Sequence, residues 1–166
     1  LEGIGPERIK AGIIGEIGTG KEILQNEYKV LKASAAASIL SGAAIQVHCY
    51  PWARRGTEAA DFLLRLGVNP EKIVICHADV TLEKDYIADI LQRGVFVQFD
   101  NFGKEFRSSA SGGGFAGGAF ASDVERVRLI VELFECGFGK QLLVTTDICL
   151  KCLLKKFGGK GYAHIM

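Results

Sequence analysis

Apolar and polar positions along the chain alternate between two rhythms. Short apolar runs bounded by Gly, Pro or polar residues recur at 11–18, 45–49, 73–77, 95–100 and 141–147. Their length and β-branched content predict buried strands. Between them lie stretches with helical character at 22–40, 57–66, 82–92 and 122–136. In the last, Val124, Val127, Ile130, Val131 and Phe134 repeat at the helical period and predict its buried face. Thr57 and Thr81 are expected as N-caps, Gly67 as a C′ residue and Gly94 as a stop. Strands alternating with helices predict an α/β fold with a parallel sheet covered by helices. That sheet is either open and doubly wound or part of a (β/α)8 TIM-type barrel. A long loop, 101–119, carries Ser108, Ser109, Ser111 and two glycine clusters, and its length is expected of either a functional loop or a locally mobile one. No G-x-G-x-x-G or Walker A pattern follows a strand, and Gly112-Gly113-Gly114 sits mid-loop, so nucleotide binding loses its main support.

The candidate chemistry falls at the strand ends. Glu16, His48, His77, Asp100 and Asp147 each close a predicted strand, and the carboxyl ends of barrel strands are where active sites are built. Glu16 and His48 are 32 residues apart, and His48 and His77 are 29 apart. These are βα repeat lengths, which make the residues lateral neighbours. Period-two alternation groups Glu16 with Gly12 and Ile14, His48 with Gln46, His77 with Ile75, and Asp147 with Thr145. One consistent choice of faces aims Glu16, His48, His77 and Asp147 into a common interior. Two imidazoles and two carboxylates are a ligand set for zinc and related divalent ions. A metal pair would generate hydroxide near neutral pH.

Each residue alone has a plainer role: His48 as a hydrogen-bonded structural histidine, Glu16 as a helix N-terminal partner, Asp147 as an N-cap. The chain has 3 His, and two of them close strands in register, which favours the joint reading. Asp100 is either a further ligand or a loop cap, and His164 reads as a loop residue.

Composition acts mainly by exclusion. A length of 166 residues suggests one domain. Lys+Arg 20 against Asp+Glu 19 leaves a net charge of +1, without the basic footprint of a nucleic-acid binder. No apolar run approaches the roughly 18–20 residues of a membrane span, so no membrane partner is expected. The 5 Cys are an odd count, and Cys49 and Cys76 sit inside apolar runs. Buried thiols in a reducing, cytoplasmic setting are expected rather than disulfides. Cys149-Leu150-Lys151-Cys152 lacks a second Cys pair, so a structural zinc site is not expected. The expected partner is a small-molecule substrate, and a homodimer is the default oligomer.

Several blocks together resemble a known family: Gly12-Ile13-Ile14-Gly15-Glu16-Ile17-Gly18, Val47-His48, Cys76-His77-Ala78-Asp79, Asp147-Ile148-Cys149-Leu150-Lys151, and Gly158-Gly159-Lys160-Gly161-Tyr162-Ala163-His164-Ile165. In this order the chain resembles the phosphotriesterase-related proteins of the amidohydrolase superfamily, over essentially its whole length. The resemblance implies a (β/α)8 barrel with a binuclear centre, usually of two zinc ions, to which these strands contribute the fourth to eighth. It implies Glu16 as the bridging carboxylate, where phosphotriesterase proper uses a carbamylated lysine. It implies His48 and His77 as ligands of the second metal. Asp147 is implied as ligand of the first metal and acceptor of the proton from the bridging hydroxide.

Two departures matter. No His-x-His occurs, although the family places one on its first strand. Asn101 and Val80 stand where phosphotriesterase proper has a His–Asp proton shuttle, so organophosphate turnover by that route is not expected. The related branch acts on esters, lactones or amides.

A complete barrel has eight strands and about 250 residues. Residues 1–166 are therefore expected to be a partial metal-dependent hydrolase barrel, with its N-terminal strands and C-terminal end missing. The expected function is a zinc-dependent hydrolase of ester, lactone, amide or phosphoester bonds. The alternative is a catalytically inactive fragment or remnant without a complete binuclear centre.

Overall fold

Five strands pair in chain order, all parallel: β1 (Ile13–Thr19), β2 (Ala44–Cys49), β3 (Ile73–Cys76), β4 (Phe96–Phe99) and β5 (Leu142–Val144). The computed structural model describes residues 2–105 and 119–166. Ser108, Ser109, Ser111 and both glycine clusters of the long loop lie outside the described residues. Helices α1 (Gln25–Ser41), α2 (Gly56–Arg65), α3 (Lys84–Leu91) and α4 (Asp123–Leu133) follow β1 to β4 in turn. An open doubly wound sheet reverses its strand order at a switch point. The order β1-β2-β3-β4-β5 has no reversal, and right-handed crossovers then place every helix on one face. That is the geometry of a barrel wall.

The core lies between that face and the helices. Ile45, Val47, Ile73, Ile75, Val97 and Phe99 are fully buried against Leu31, Leu63, Ile87, Ile90 and Leu133. Along β2 and β4 the alternate residues Gln46 and Gln98 point the other way, where Gln46 Nε2 donates to Gln98 Oε1 at 2.8 Å. The opposite face is mixed, with Gln46 and Gln98 set among Val74, Cys76 and Phe96, and becomes polar toward the carboxyl ends of the strands. No helix among the described residues is long and apolar enough to cross a membrane.

The helix ends correct several sequence expectations. α2 begins at Gly56, not after a Thr57 cap, because the Gly56 N–H donates to Tyr86 Oη at 2.8 Å across the α2–α3 interface. α3 begins at Lys84 behind Glu83, not at a Thr81 cap, because Leu82 takes a left-handed φ of 51° that interrupts the helix. Gly67 does follow the end of α2 at φ 86°, a conformation that favours glycine. α4 is capped by Ser122, whose Oγ accepts from the Glu125 N–H while Glu125 Oε2 accepts from the Ser122 N–H at 2.8 Å.

The α4 face is also reassigned. Its buried face is Arg126, Leu129 and Leu133, whereas Val124, Val127, Val131 and Phe134 are at least half exposed. Both stripes have helical spacing, so periodicity alone does not choose between them. The capping box and the buried ion pair of Arg126 set the helix phase.

Gly56 lies close against both α3 and the sheet. A Cβ there would sit 2.6 Å from Tyr86 Oη and 2.8 Å from Ile75 Cγ2. Gly56→Ala is expected to destabilise the fold by about 1–3 kcal/mol through overpacking, read as a lower urea midpoint. An unchanged midpoint would contradict this packing.

Candidate metal centre

The carboxyl ends of the strands close one polar cavity of about 240 Å³, lined by Glu16, Gln46, His48, Cys76, His77, Gln98, Asp100, Thr145 and Asp147. A contiguous cavity of about 200 Å³ opens beside Tyr50, Pro51, Phe120 and Cys149 and shares Glu16, His48, His77 and Asp147. Trp52 packs edge-on against Phe120, with ring centroids 6.1 Å apart. The cavity thus has a polar floor and an apolar mouth.

Only some of the four side chains arrive by strand alternation. His48 shares the inner face of β2 with Gln46, and Thr145 and Asp147 both line the cavity beyond β5, as expected. His77 does not share a face with Ile75, which is buried under the helices. It follows the last residue of β3 with φ 62°, and this left-handed turn swings its ring inward. Glu16 does not share a face with Ile14, which packs against the helix-side core. A register shift between Ile14 and Ile17 inserts an extra residue in β1, and Glu16 takes φ 55° there. Asp147 also has a positive φ, 38°. Non-glycine residues in this region are strained, and such strain gathers at functional sites.

The donors are tightly arranged around His77. Its Nε2 lies 2.8 Å from His48 Nδ1, and its Nδ1 lies 2.8 Å from Asp100 Oδ1. The His77 backbone N–H also donates to Asp100 Oδ2 at 3.1 Å. A carboxylate only accepts, so His77 Nδ1 carries the proton. Glu16 Oε2 stands 3.7 Å from His48 Nδ1 on an exposed side chain. The ammonium of Lys104, itself buried, donates to Asp147 Oδ2.

These contacts push the two imidazoles apart. Burial and the neighbouring His77 lower the His48 pKa. Burial also opposes a charge on His77, but the Asp100 hydrogen bond and negative charge outweigh it and raise the pKa. Burial works against the Asp100 charge too, and the His77 hydrogen bonds prevail, holding its carboxyl below the usual range. The Cys49 thiol, within the core, is pushed up to about 12 by burial and is inert at neutral pH.

The identity of the donors fits a divalent cation, whereas their placement is that of a hydrogen-bonded pair, His77 Nε2 and His48 Nδ1 at 2.8 Å. Two imidazole nitrogens face one another, and one ring is oriented by a carboxylate behind it, the usual support of a metal-bound histidine. The assembly is not closed, however. Among the described residues no three or more His, Cys, Asp or Glu side chains meet at metal-holding geometry. Asp147 is turned to Lys104, and Glu16 approaches only His48.

Sequential parallel strands with their helices on one face form part of the wall of a (β/α)8 barrel, and this cluster sits at their carboxyl ends. The chain belongs to the phosphotriesterase family, whose sequence profile matches residues 1–166. It is 33% identical over 167 residues to an N-acetyltaurine hydrolase of Dictyostelium discoideum, covering 100% of this chain and 44% of that protein. Among solved structures, a resiniferatoxin-binding protein from Rhodobacter sphaeroides superposes with a TM-score of 0.90 at 31% identity, covering 99% of this chain and 45% of that one. A phosphotriesterase homology protein from Escherichia coli, complexed with phosphate in its active site, gives 0.84 at 29% identity, covering 99% and 52%. The chain spans about half the length of the curated relatives it matches, so its sheet is part of a barrel.

Several polar residues at the site escape sequence reasoning. Lys104 and Arg126 are 1% and 0% exposed, yet each looks like a surface charge in a polar stretch. Asp79 follows His77 by two residues, the one local signal, and pairs with Arg126 from 47 positions away.

Asp100→Asn leaves His77 buried without its carboxylate. The His77 pKa is expected to fall from above its ordinary value to below it, read by NMR titration of both imidazoles in the metal-free chain. The sign for stability follows. Charged His77 stabilises the wild-type fold at pH below about 6.5, and that contribution is lost as pH rises through the elevated folded value. An unshifted His77 in the variant would contradict the assignment of Asp100.

Proposed function

We propose that this chain supplies the bridging and second-metal half of the active site of a zinc-dependent hydrolase acting on ester, lactone, amide or phosphoester bonds. The observation that carries this reading is the convergence of Glu16, His48, His77 and Asp147 on the lining of one cavity. Hydrolysis of an amide is favoured within that range, because the relatives named N-acetyltaurine hydrolase cleave one. His48 and His77 would bind one ion, Glu16 would bridge to a second, and Asp147 would bind the second. Such ions supply a Lewis acid for the scissile carbonyl or phosphoryl oxygen and a hydroxide nucleophile near neutral pH.

The chain's own residues do the rest. Asp100 fixes the His77 ring through Nδ1 and leaves Nε2 for the ion. Asp147 is the proton acceptor, and the Lys104 ammonium holds one of its oxygens in place. Tyr50, Pro51 and Phe120 form the apolar mouth that excludes water around the substrate. The complete centre requires ligands beyond this chain, because no His-x-His is present.

A second reading rests on that same lack and on the open ligand geometry: an inactive remnant that keeps the fold without a working centre. Zinc content separates the two. About two ions per complete barrel supports the hydrolase, and none supports the remnant.

In the complete barrel, His77→Ala is expected to lower zinc occupancy and hydrolysis together. Full occupancy with full activity would exclude His77 as a ligand. Asp147→Asn is expected to reduce kcat by about 10²–10⁴-fold, the range of general acid–base catalysis, with a much smaller change in KM. An unchanged kcat would reject its role as proton acceptor.

A further inference from the structure

A buried polar chain runs from α4 through the β3 and β4 loops to His77. Arg126 is fully buried on α4. Its Nε donates to Asp79 Oδ2 at 2.9 Å, and its Nη1 donates to Asp123 Oδ1 at 3.0 Å. Asp79 is equally buried and accepts twice more, from the Asn101 backbone N–H at 3.0 Å and from Asn101 Nδ2 at 2.7 Å. The same Asn101 Nδ2 donates to Asp100 Oδ1 at 2.8 Å. Asp100 Oδ1 is the atom that receives His77 Nδ1–H. Guanidinium, carboxylate, amide, carboxylate and imidazole thus stand in one hydrogen-bonded line.

The line explains why a fully charged side chain is buried in α4. Two buried carboxylates, Asp79 and Asp100, share one amide group. Their proximity is costly unless a cation is near and every lone pair is used. Arg126 supplies the cation, and its planar fork fixes Asp79 and Asp123 in one geometry. With Asp79 fixed, Asn101 can present Nδ2 to both carboxylates in only one orientation. That orientation sets Asp100, and Asp100 sets the plane of the His77 ring.

We infer that Arg126 is a positioning residue for His77, acting through Asp79, Asn101 and Asp100 to aim His77 Nε2 into the cavity. The inference concerns His77 as a metal ligand and so rests on the proposed function, but it has a consequence in the metal-free chain as well. Arg126 touches neither substrate nor ion. Its side chain is separated from the cavity by the very groups it orders.

The test uses the full chain with Arg126→Met, Asn101→Ala and the double variant. Two quantities are read. One is the NMR resonance of the His77 Nδ1–H proton without metal, and the other is the dissociation constant for zinc alone. Arg126→Met is expected to shift or broaden that resonance and to weaken zinc binding by about 10–100-fold, the usual effect of losing a partner behind a ligand. Asn101→Ala breaks the line in the middle and is expected to do the same. The double variant is expected to lose no more than the worse single, because both act on one path.

Gly56→Ala, which destabilises the fold away from this line, should leave both readouts unchanged. Arg126→Lys guards against a variant that fails to fold: it keeps the charge without the fork, and a smaller weakening is expected. An unmoved resonance in Arg126→Met or, should that variant not fold, in Arg126→Lys would overturn the inference. So would losses in the double variant equal to the two single losses combined. Absence of zinc binding by the wild-type complete barrel would instead sink the metal reading, and the resonance would still decide the role of Arg126.

Discussion

A carboxylate with no exposure to solvent must find donors inside the protein, since an unpaired buried charge costs several kcal/mol. Asp100 is such a carboxylate, and the described residues give it four hydrogen bonds: from the His77 backbone N–H, His77 Nδ1, Gln98 Nε2 and Asn101 Nδ2. Those bonds tie the end of β3 to the end of β4. They also dictate the left-handed turn at His77, because its backbone N–H and its ring must both reach the same carboxylate. The polar pole therefore depends on one group. If Asp100 were lost, the sheet would keep its apolar helix-side core, but the polar pole would lose its organising anion.

The strained positions follow the same logic. Glu16, His77 and Asp147 each take a positive φ just where regular strand pairing shifts or stops. A regular strand sends alternate residues to opposite faces, and a register set by the apolar core would have sent Glu16 and His77 toward the helices. The bulge in β1 and the turn after β3 reverse that direction at a conformational cost of about 1–3 kcal/mol each. Favourable burial elsewhere offsets the cost. The fully apolar helix-facing positions of β2 and β3, from Ile45 to Ile75, supply that burial.

The same contrast explains what was legible in the sequence. Strand positions and the α/β alternation are readable because each strand is a short apolar run between turn residues, and parallel pairing follows from that alternation, whereas the sequential strand order comes from the structure. His48, His77, Glu16 and Asp147 are readable as a group because they close successive strands. Their common cavity lining agrees with the sequence reading, but the route does not: local left-handed backbone, invisible to a period-two rule, delivers two of them. Buried cations were not legible at all. Arg126 lies in a helix with two apolar stripes, and the ion pair that decides which stripe is buried joins residues 47 positions apart. Lys104 sits in a polar loop, and only the tertiary fold brings it onto Asp147. The caps of α2 and α3 were misread because a cross-helix tyrosine and a strained leucine took the place of the local threonine chemistry.

The central proposal is that the His48 and His77 imidazoles part from their mutual hydrogen bond to hold a cation together. A crystal structure of the protein grown with zinc, with anomalous data collected at the zinc edge, tests it directly. The account predicts an anomalous peak between the His48 and His77 imidazoles, with the His77 ring still bonded to Asp100 through Nδ1. No peak at saturating zinc, or a peak only at sites away from these two rings, would contradict it.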